Sequence, residues 1–140
     1  MILLDTHIWV WWVQQDPRLP RKAIRYLDSL DPHEIGVSAF SCWGVATLHS
    51  LGRIAFQVSL EEWMESALAR SGITVLPLTP DIAVESVQLP GEFHRDPADR
   101  ILVATARIHA CPLVTADEKI LAYPHVRAVS PTGIRDVASP

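Results

Sequence analysis

Short apolar runs alternating with helical stretches constrain this chain more than any other feature. Ile2–Leu4, Ile35–Val37, Ile73–Leu76, Leu113–Val114 and Val126–Val129 are each too short to make a helix. Between them the apolar residues fall at helical spacing, as in Ala23, Ile24, Leu27 and Leu30, or Ile101, Leu102, Ala104, Thr105 and Ile108. Parallel strands need a crossover connection, and a crossover helix covers a face of the sheet. The alternation therefore predicts an α/β fold, with a short-stranded parallel sheet and helices on both faces.

The punctuation agrees with that reading. The first helix is predicted from Thr6 to about Gln15, ahead of Asp16-Pro17, because proline disfavours helix in the residue before it. Asp31-Pro32 ends the second helix. Ser38 is placed to cap a third, carrying Phe40, Trp43, Val45, Ala46 and Leu48, and Gly52 to end it. Ser59 and Glu62 have capping-box spacing for a helix running to Gly72. Thr79-Pro80-Asp81 and Asp96-Pro97 open two more, and Asp117 to Leu121 is a short one.

At 140 residues the chain reads as one domain, 1–140, with a peripheral tail from about residue 131. A formal net charge of −4 argues against coating nucleic acid by bulk electrostatics. Basic residues are nonetheless grouped: Arg18, Arg21, Lys22 and Arg25 early, then Arg95, Arg100 and Arg107. A solvated helix face is the leading explanation for such charges. Cys42 and Cys111 have no metal-type spacing and read as reduced thiols of a cytoplasmic protein. Ile8 to Val13 is too short to span a bilayer, and Asp5 interrupts the N-terminal apolar run. No membrane association is expected. Trp9, Trp11 and Trp12 suit core packing and a dimer interface equally well.

The residues with chemical potential are acids. Asp5 and Asp117 follow apolar runs, and Asp96 and Asp99 open the long apolar helix. Ligands of open parallel sheets bind outside the carboxyl ends of the strands, so acids delivered there can converge. Grouped carboxylates repel one another unless a proton or a hard cation neutralises them, and oxygen-only ligation suits Mg²⁺ or Mn²⁺. Each acid also has a purely structural explanation. Asp5, Asp96 and Asp117 are natural helix N-caps, and Asp99 lies where a helix dipole favours negative charge. His7 and His94 lack a second histidine at ligand spacing and read as surface or hydrogen-bonding groups.

The motifs occur in a specific order: Asp5-Thr6-His7, Ser38-x-x-Ser41-x-Trp43, Asp96-Pro-Ala-Asp99-Arg100 and Thr115-Ala-Asp117. Together they resemble a PIN domain of the VapC group of bacterial toxin–antitoxin ribonucleases, over nearly the whole chain from Ile2 to about Val129. The resemblance implies a three-layer α/β/α sandwich and a metal-dependent endoribonuclease using Mg²⁺ or Mn²⁺. It places the catalytic acids at Asp5, Asp99 and Asp117, with Asp96 as an accessory metal acid, and Thr6, Ser41 and Thr115 in support. It also implies an RNA substrate, a cognate antitoxin whose C-terminal segment covers the acids, and a homodimer. Arg95 and Arg100 could contact RNA phosphate, although Arg100 could equally pair with Asp96 one turn away.

One departure stands out. The family usually carries glutamate after the motif tryptophan, where this chain has Gly44. Glycine inside a helix costs about 1 kcal/mol relative to alanine, so helix stability does not account for it. Either the natural protein has lost activity, or the acid was replaced deliberately to disarm a toxic nuclease. Two other functions compete: a catalytically inactive antitoxin- or RNA-binding protein, and a phosphoryl-transfer enzyme with Asp5 as nucleophile. The second needs an aspartate where His7 stands and is discounted.

Overall fold

A computed structural model describes residues 1–69 and 73–138. Five parallel strands are ordered β3-β2-β1-β4-β5: β1 (Ile2–Leu4), β2 (Ile35–Ser38), β3 (Thr74–Leu76), β4 (Leu113–Val114) and β5 (Ala128–Val129). Among the described residues seven α-helices connect them: α1 (Thr6–Gln14), α2 (Arg21–Ser29), α3 (Ala39–Ser50), α4 (Leu60–Ala69), α5 (Pro80–Val87), α6 (Pro97–Ile108) and α7 (Glu118–Leu121). The α/β expectation holds.

Strand pleating divides the core between the two faces of the sheet. Ile2, Leu4 and Val114 pack with Ile8, Trp9 and Trp12 of α1 and with α2 and α4, while Leu3 and Leu113 pack with Leu102, Val103 and Ile120 of α6 and α7. Trp9 and Trp12 are fully buried, which settles those two tryptophans as core. Trp11 is only half-buried.

Local signals acted as expected at most helix ends. Ser38 accepts from Phe40 N at 3.0 Å, Ser59 from Glu62 N at 3.1 Å, and Thr79 from Ile82 N at 3.3 Å. Gly52 takes a left-handed φ of +71° beyond α3, which a β-carbon would strain. The expected terminator Gly72 lies outside the described residues, as does Pro140. The last strand begins at Ala128 rather than Val126, because β4 offers only Leu113 and Val114 for pairing.

The C-terminal segment corrects the sequence reading. Residues Pro131–Ala138 form 3-10 turns, and Ile134 is fully buried in the core that holds α1 and α2. An isolated tail with two prolines gave no helical or strand period that would reveal this. Ile134→Ala is expected to cost about 3 kcal/mol in urea denaturation, whereas a peripheral residue would cost almost nothing. Among the described residues no helix is long and apolar enough to cross a membrane.

Sheet order also locates a crevice. From β1 the chain builds outward through β2 and β3 on one side and through β4 and β5 on the other. The carboxyl ends of β1 and β4 therefore flank a topological switch point, where open α/β sheets bind ligands.

Candidate functional site

Asp5 leaves β1 at that switch point and caps α1. Its Oδ1 accepts from Thr6 N at 2.6 Å, and its Oδ2 accepts from Thr115 Oγ1 at 2.6 Å. Thr115 directly follows β4, the neighbouring strand, is fully buried, and also accepts from Asp117 N at 3.0 Å. One hydroxyl thus ties the first acid to the last, 112 residues apart in sequence (117 − 5). Asp117 in turn caps α7 through Oδ1, accepting from Lys119 N at 2.8 Å and Ile120 N at 3.4 Å.

The central acidic motif arrives from α6. Asp96 caps that helix, accepting from Asp99 N at 3.1 Å, and is exposed. Asp99 sits half-buried in the first turn. All four acids line a single cavity of about 590 Å³, together with Thr6, His7, Trp11, Trp43 and Gly44. Ser41, almost wholly buried, accepts from Thr6 Oγ1 at 2.8 Å and locks α3 to the start of α1. The sequence-predicted acids and Thr6 therefore meet in one place, with Ser41 and Thr115 behind them.

Electrostatics reflect the crowding. Burial pushes the Asp5 carboxyl above the ordinary carboxylate range, opposed by the Thr115 hydrogen bond, the His7 charge and the Thr6 N–H, and reinforced by Asp117. Asp99 is pushed up to about 7, first by burial and then by the charges of Asp96, Asp117 and Asp5. A folded-state pKa above the unfolded one means the native state holds the proton more tightly. That contribution to stability is full below the ordinary value of 3.8 and is lost as pH rises through about 7. Metal-free protein is thus expected to lose more thermal stability than Asp99→Asn between pH 4 and about 7. Parallel melting curves for the two proteins across that range would expose any failure of the electrostatic account.

Three further side chains stand close to the acids. His94 Nε2 lies 3.0 Å from Asp99 Oδ2, within ion-pair distance but misaligned for a hydrogen bond. Its place was not legible, because the loop before α6 has no period to follow. Arg53 and Trp11 also line the acid cavity: Trp11 lies one turn beyond His7 but is one of three clustered tryptophans of which two are core, and Arg53 lies past the end of α3 with no motif beside it.

The two arginines expected at phosphate behave differently from that expectation. Arg100 donates to three carbonyl oxygens, of His94 at 2.9 Å, Phe93 at 3.0 Å and Ser86 at 3.0 Å. Its guanidinium is engaged in holding the loop before α6, so the phosphate contact and the pairing with Asp96 both give way to a structural role. Arg95 is exposed and lines a neighbouring groove rather than the acid cavity.

A family profile described as "PIN domain" matches residues 2–126. The chain belongs to the PIN-domain family. Within that family it is 33% identical over 129 residues to Ribonuclease VapC22 of Mycobacterium tuberculosis, covering 92% of this chain and 96% of the relative. Solved structures share the PIN architecture. A toxin–antitoxin complex from Klebsiella pneumoniae aligns with a TM-score of 0.62 at 22% identity, over 94% of this chain and 98% of that one. VapBC2 from Rickettsia felis, bound to a DNA fragment from its promoter, aligns at 0.67 and 17%, over 93% and 98%. FitAcB from Neisseria gonorrhoeae aligns at 0.64 and 23%, over 94% and 99%.

The donor chemistry of this PIN site fits a hard divalent cation: carboxylates only, converging, and raising one another's pKa. The arrangement is incomplete. Among the described residues, no three His, Cys, Asp or Glu side chains are gathered tightly enough, as they stand, to hold an ion. Both oxygens of Asp5, and one each of Asp96 and Asp117, already accept hydrogen bonds. Gly44 sits where the cavity could accept another donor. A β-carbon added there would meet only Thr6 Cγ2, at an ordinary 3.8 Å.

Proposed function

We propose that this PIN domain is a metal-dependent endoribonuclease toxin of a toxin–antitoxin module, attenuated by glycine at position 44. The observation that carries the reading is the convergence of Asp5, Asp99 and Asp117 on one cavity at the switch point of the sheet. The likeness to Ribonuclease VapC22 supports RNA as the substrate. The fold shared with toxin–antitoxin complexes supports an antitoxin partner, whose C-terminal segment would cover the acid cavity.

Asp5, Asp99 and Asp117 would hold Mg²⁺ or Mn²⁺, with Asp96 as an accessory acid at the exposed rim. A cation bound there supplies a water of lowered pKa and stabilises charge developing on phosphate. The chain's own residues supply orientation. Thr115 fixes the Asp5 carboxylate relative to Asp117, and the Thr6–Ser41 bond holds α1 and α3 as the cavity walls. Asp99, pushed up to about 7, is only partly ionised near neutral pH, so cation and proton compete for one carboxylate. Arg95, exposed beside the acidic motif, would contact phosphate. The whole of residues 1–140 forms one unit in this reading, homodimeric and cytoplasmic, with Cys42 and Cys111 as free thiols.

Gly44 favours a second reading, a catalytically inactive protein that binds antitoxin or RNA without turnover. Incubation with RNA in Mg²⁺, Mn²⁺ or EDTA separates the two. Cleavage that needs the ion and disappears in Asp5→Asn supports the nuclease. RNA or antitoxin binding with no cleavage at any ion concentration supports the inactive form, and a phospho-aspartate at Asp5 would remove both.

A further inference from the structure

The early basic cluster takes no part in the acid site, yet it is physically continuous with it. Helix α1 starts at the acids and presents His7 and then Trp11 to the cavity, their rings 6.2 Å apart. Asp5 to Gln15 spans about 15 Å of helical rise. Trp11 carries the Arg18 guanidinium 5.0 Å from its ring centre and is itself a wall of the acid cavity. Beyond it, a second cleft of about 630 Å³ begins at Gln15 and is walled by Arg21, Ile24 and Arg25. Arg21 and Arg25 are exposed on one side of α2, whose other side buries Ala23 and Leu27.

The charge in this cleft contrasts with a chain whose net charge is −4. Asp16 also lines the cleft, but both of its oxygens are engaged by Arg18, at 3.0 and 2.7 Å, which leaves Arg21 and Arg25 to give the cleft its positive charge. At the acid end an aromatic ring and a single guanidinium stand beside the four aspartates: Trp43 is 59% exposed, and Arg53 lines the same cavity. Aromatic platforms alternating with guanidinium groups are what a single-stranded nucleic acid requires, bases stacking on the rings and phosphates following the positive charge.

We propose that the face running from Trp43 and Trp11 through Arg18 to Arg21 and Arg25 is the docking track for single-stranded RNA. The track leads the strand into the acid cavity. The assignment rests on the nuclease reading for its substrate, but it concerns residues that do not touch the acids.

Binding of a fluorescein-labelled single-stranded RNA is measured by anisotropy in EDTA, and again in Ca²⁺, across a salt series. Arg21→Gln/Arg25→Gln is expected to weaken binding about tenfold and to lower the salt slope by about 1.4, at about 0.7 for each phosphate no longer neutralised. Trp43→Ala, on an exposed side chain, is expected to weaken it about tenfold with little change of slope. In Gly44→Glu protein with Mn²⁺, the double glutamine variant should raise KM and leave kcat unchanged. Cleavage and binding that ignore the arginines would overturn the track and leave the nuclease standing. Arginine-dependent binding with no cleavage in any background would keep the track and overturn the nuclease. No RNA binding by the parent protein in either buffer overturns both. Displacement by polyglutamate at equal charge would mark the face as a site for an acidic protein segment, and would likewise overturn the assignment.

Discussion

Gly44→Glu is expected to raise metal-dependent RNA cleavage by about 10²–10³-fold, the scale of one correctly placed electrostatic group in an active site. Position 44 lines the same cavity as Asp5, Asp96, Asp99 and Asp117, and a β-carbon there enters ordinary contact with Thr6 alone. The backbone is helical, so the substitution also recovers about 0.5–1 kcal/mol of helix propensity. Against that gain stands a further negative charge beside an Asp99 already pushed up to about 7. The two effects separate with pH and ion. Without metal, Gly44→Glu should melt lower than Gly44→Gln at pH 8, and Mn²⁺ should reverse the order. Gly44→Gln, matched in size but uncharged, should gain helix stability without activity. Equal cleavage by the glutamate and glutamine variants would sink the missing acid as the cause of attenuation.

Arg100→Ala is expected to destabilise the fold by roughly 4–5 kcal/mol, the low end for three hydrogen bonds from a charged donor at about 1.5–3 kcal/mol each, because the freed carbonyls can regain water. Three carbonyls depend on this guanidinium: Ser86 at the end of α5, and Phe93 and His94 in the loop leading to α6. That loop sets the entry angle of α6, and with it the positions of Asp96 and Asp99. Arg100→Lys should recover little, because one ammonium cannot reproduce a planar fork spanning three acceptors. Activity should fall along with stability in both variants. A variant as stable as the parent in urea would show that the loop finds other donors, and would free Arg100 to meet phosphate after all.

The fold was legible wherever a local signal had a single solution. Strand and helix alternation required a parallel sheet, and Ser38, Thr79 and Asp96 cap the helices they precede. The site was legible only in part, because one residue can serve two ends. Asp5, Asp96 and Asp117 are all N-caps, as their local sequence suggested, yet they are also the acids of one cavity. The structural explanation and the functional one were never alternatives. Capping occupies one carboxylate oxygen of Asp96 and Asp117 while helix geometry aims the residue at the switch point.

Arg100, Ile134 and Trp11 mark what the sequence could not decide. Arg100 carries the same charge whether it faces phosphate or three carbonyls, and only the path of the loop before α6 selects between them. Ile134 is one apolar residue in an aperiodic tail, and its burial depends on where α1 and α2 leave space. Trp11 sits among three tryptophans, two of them core, and its half-burial between the acids and Arg18 follows from the rotation of α1. By itself the sequence determined element types, caps and the order of the acidic motifs, because these depend on residues a few positions apart. Tertiary structure decided which side chains share a cavity and which charges are already engaged. Those outcomes depend on strand order and on helices packed across the sheet, distances that no local pattern encodes.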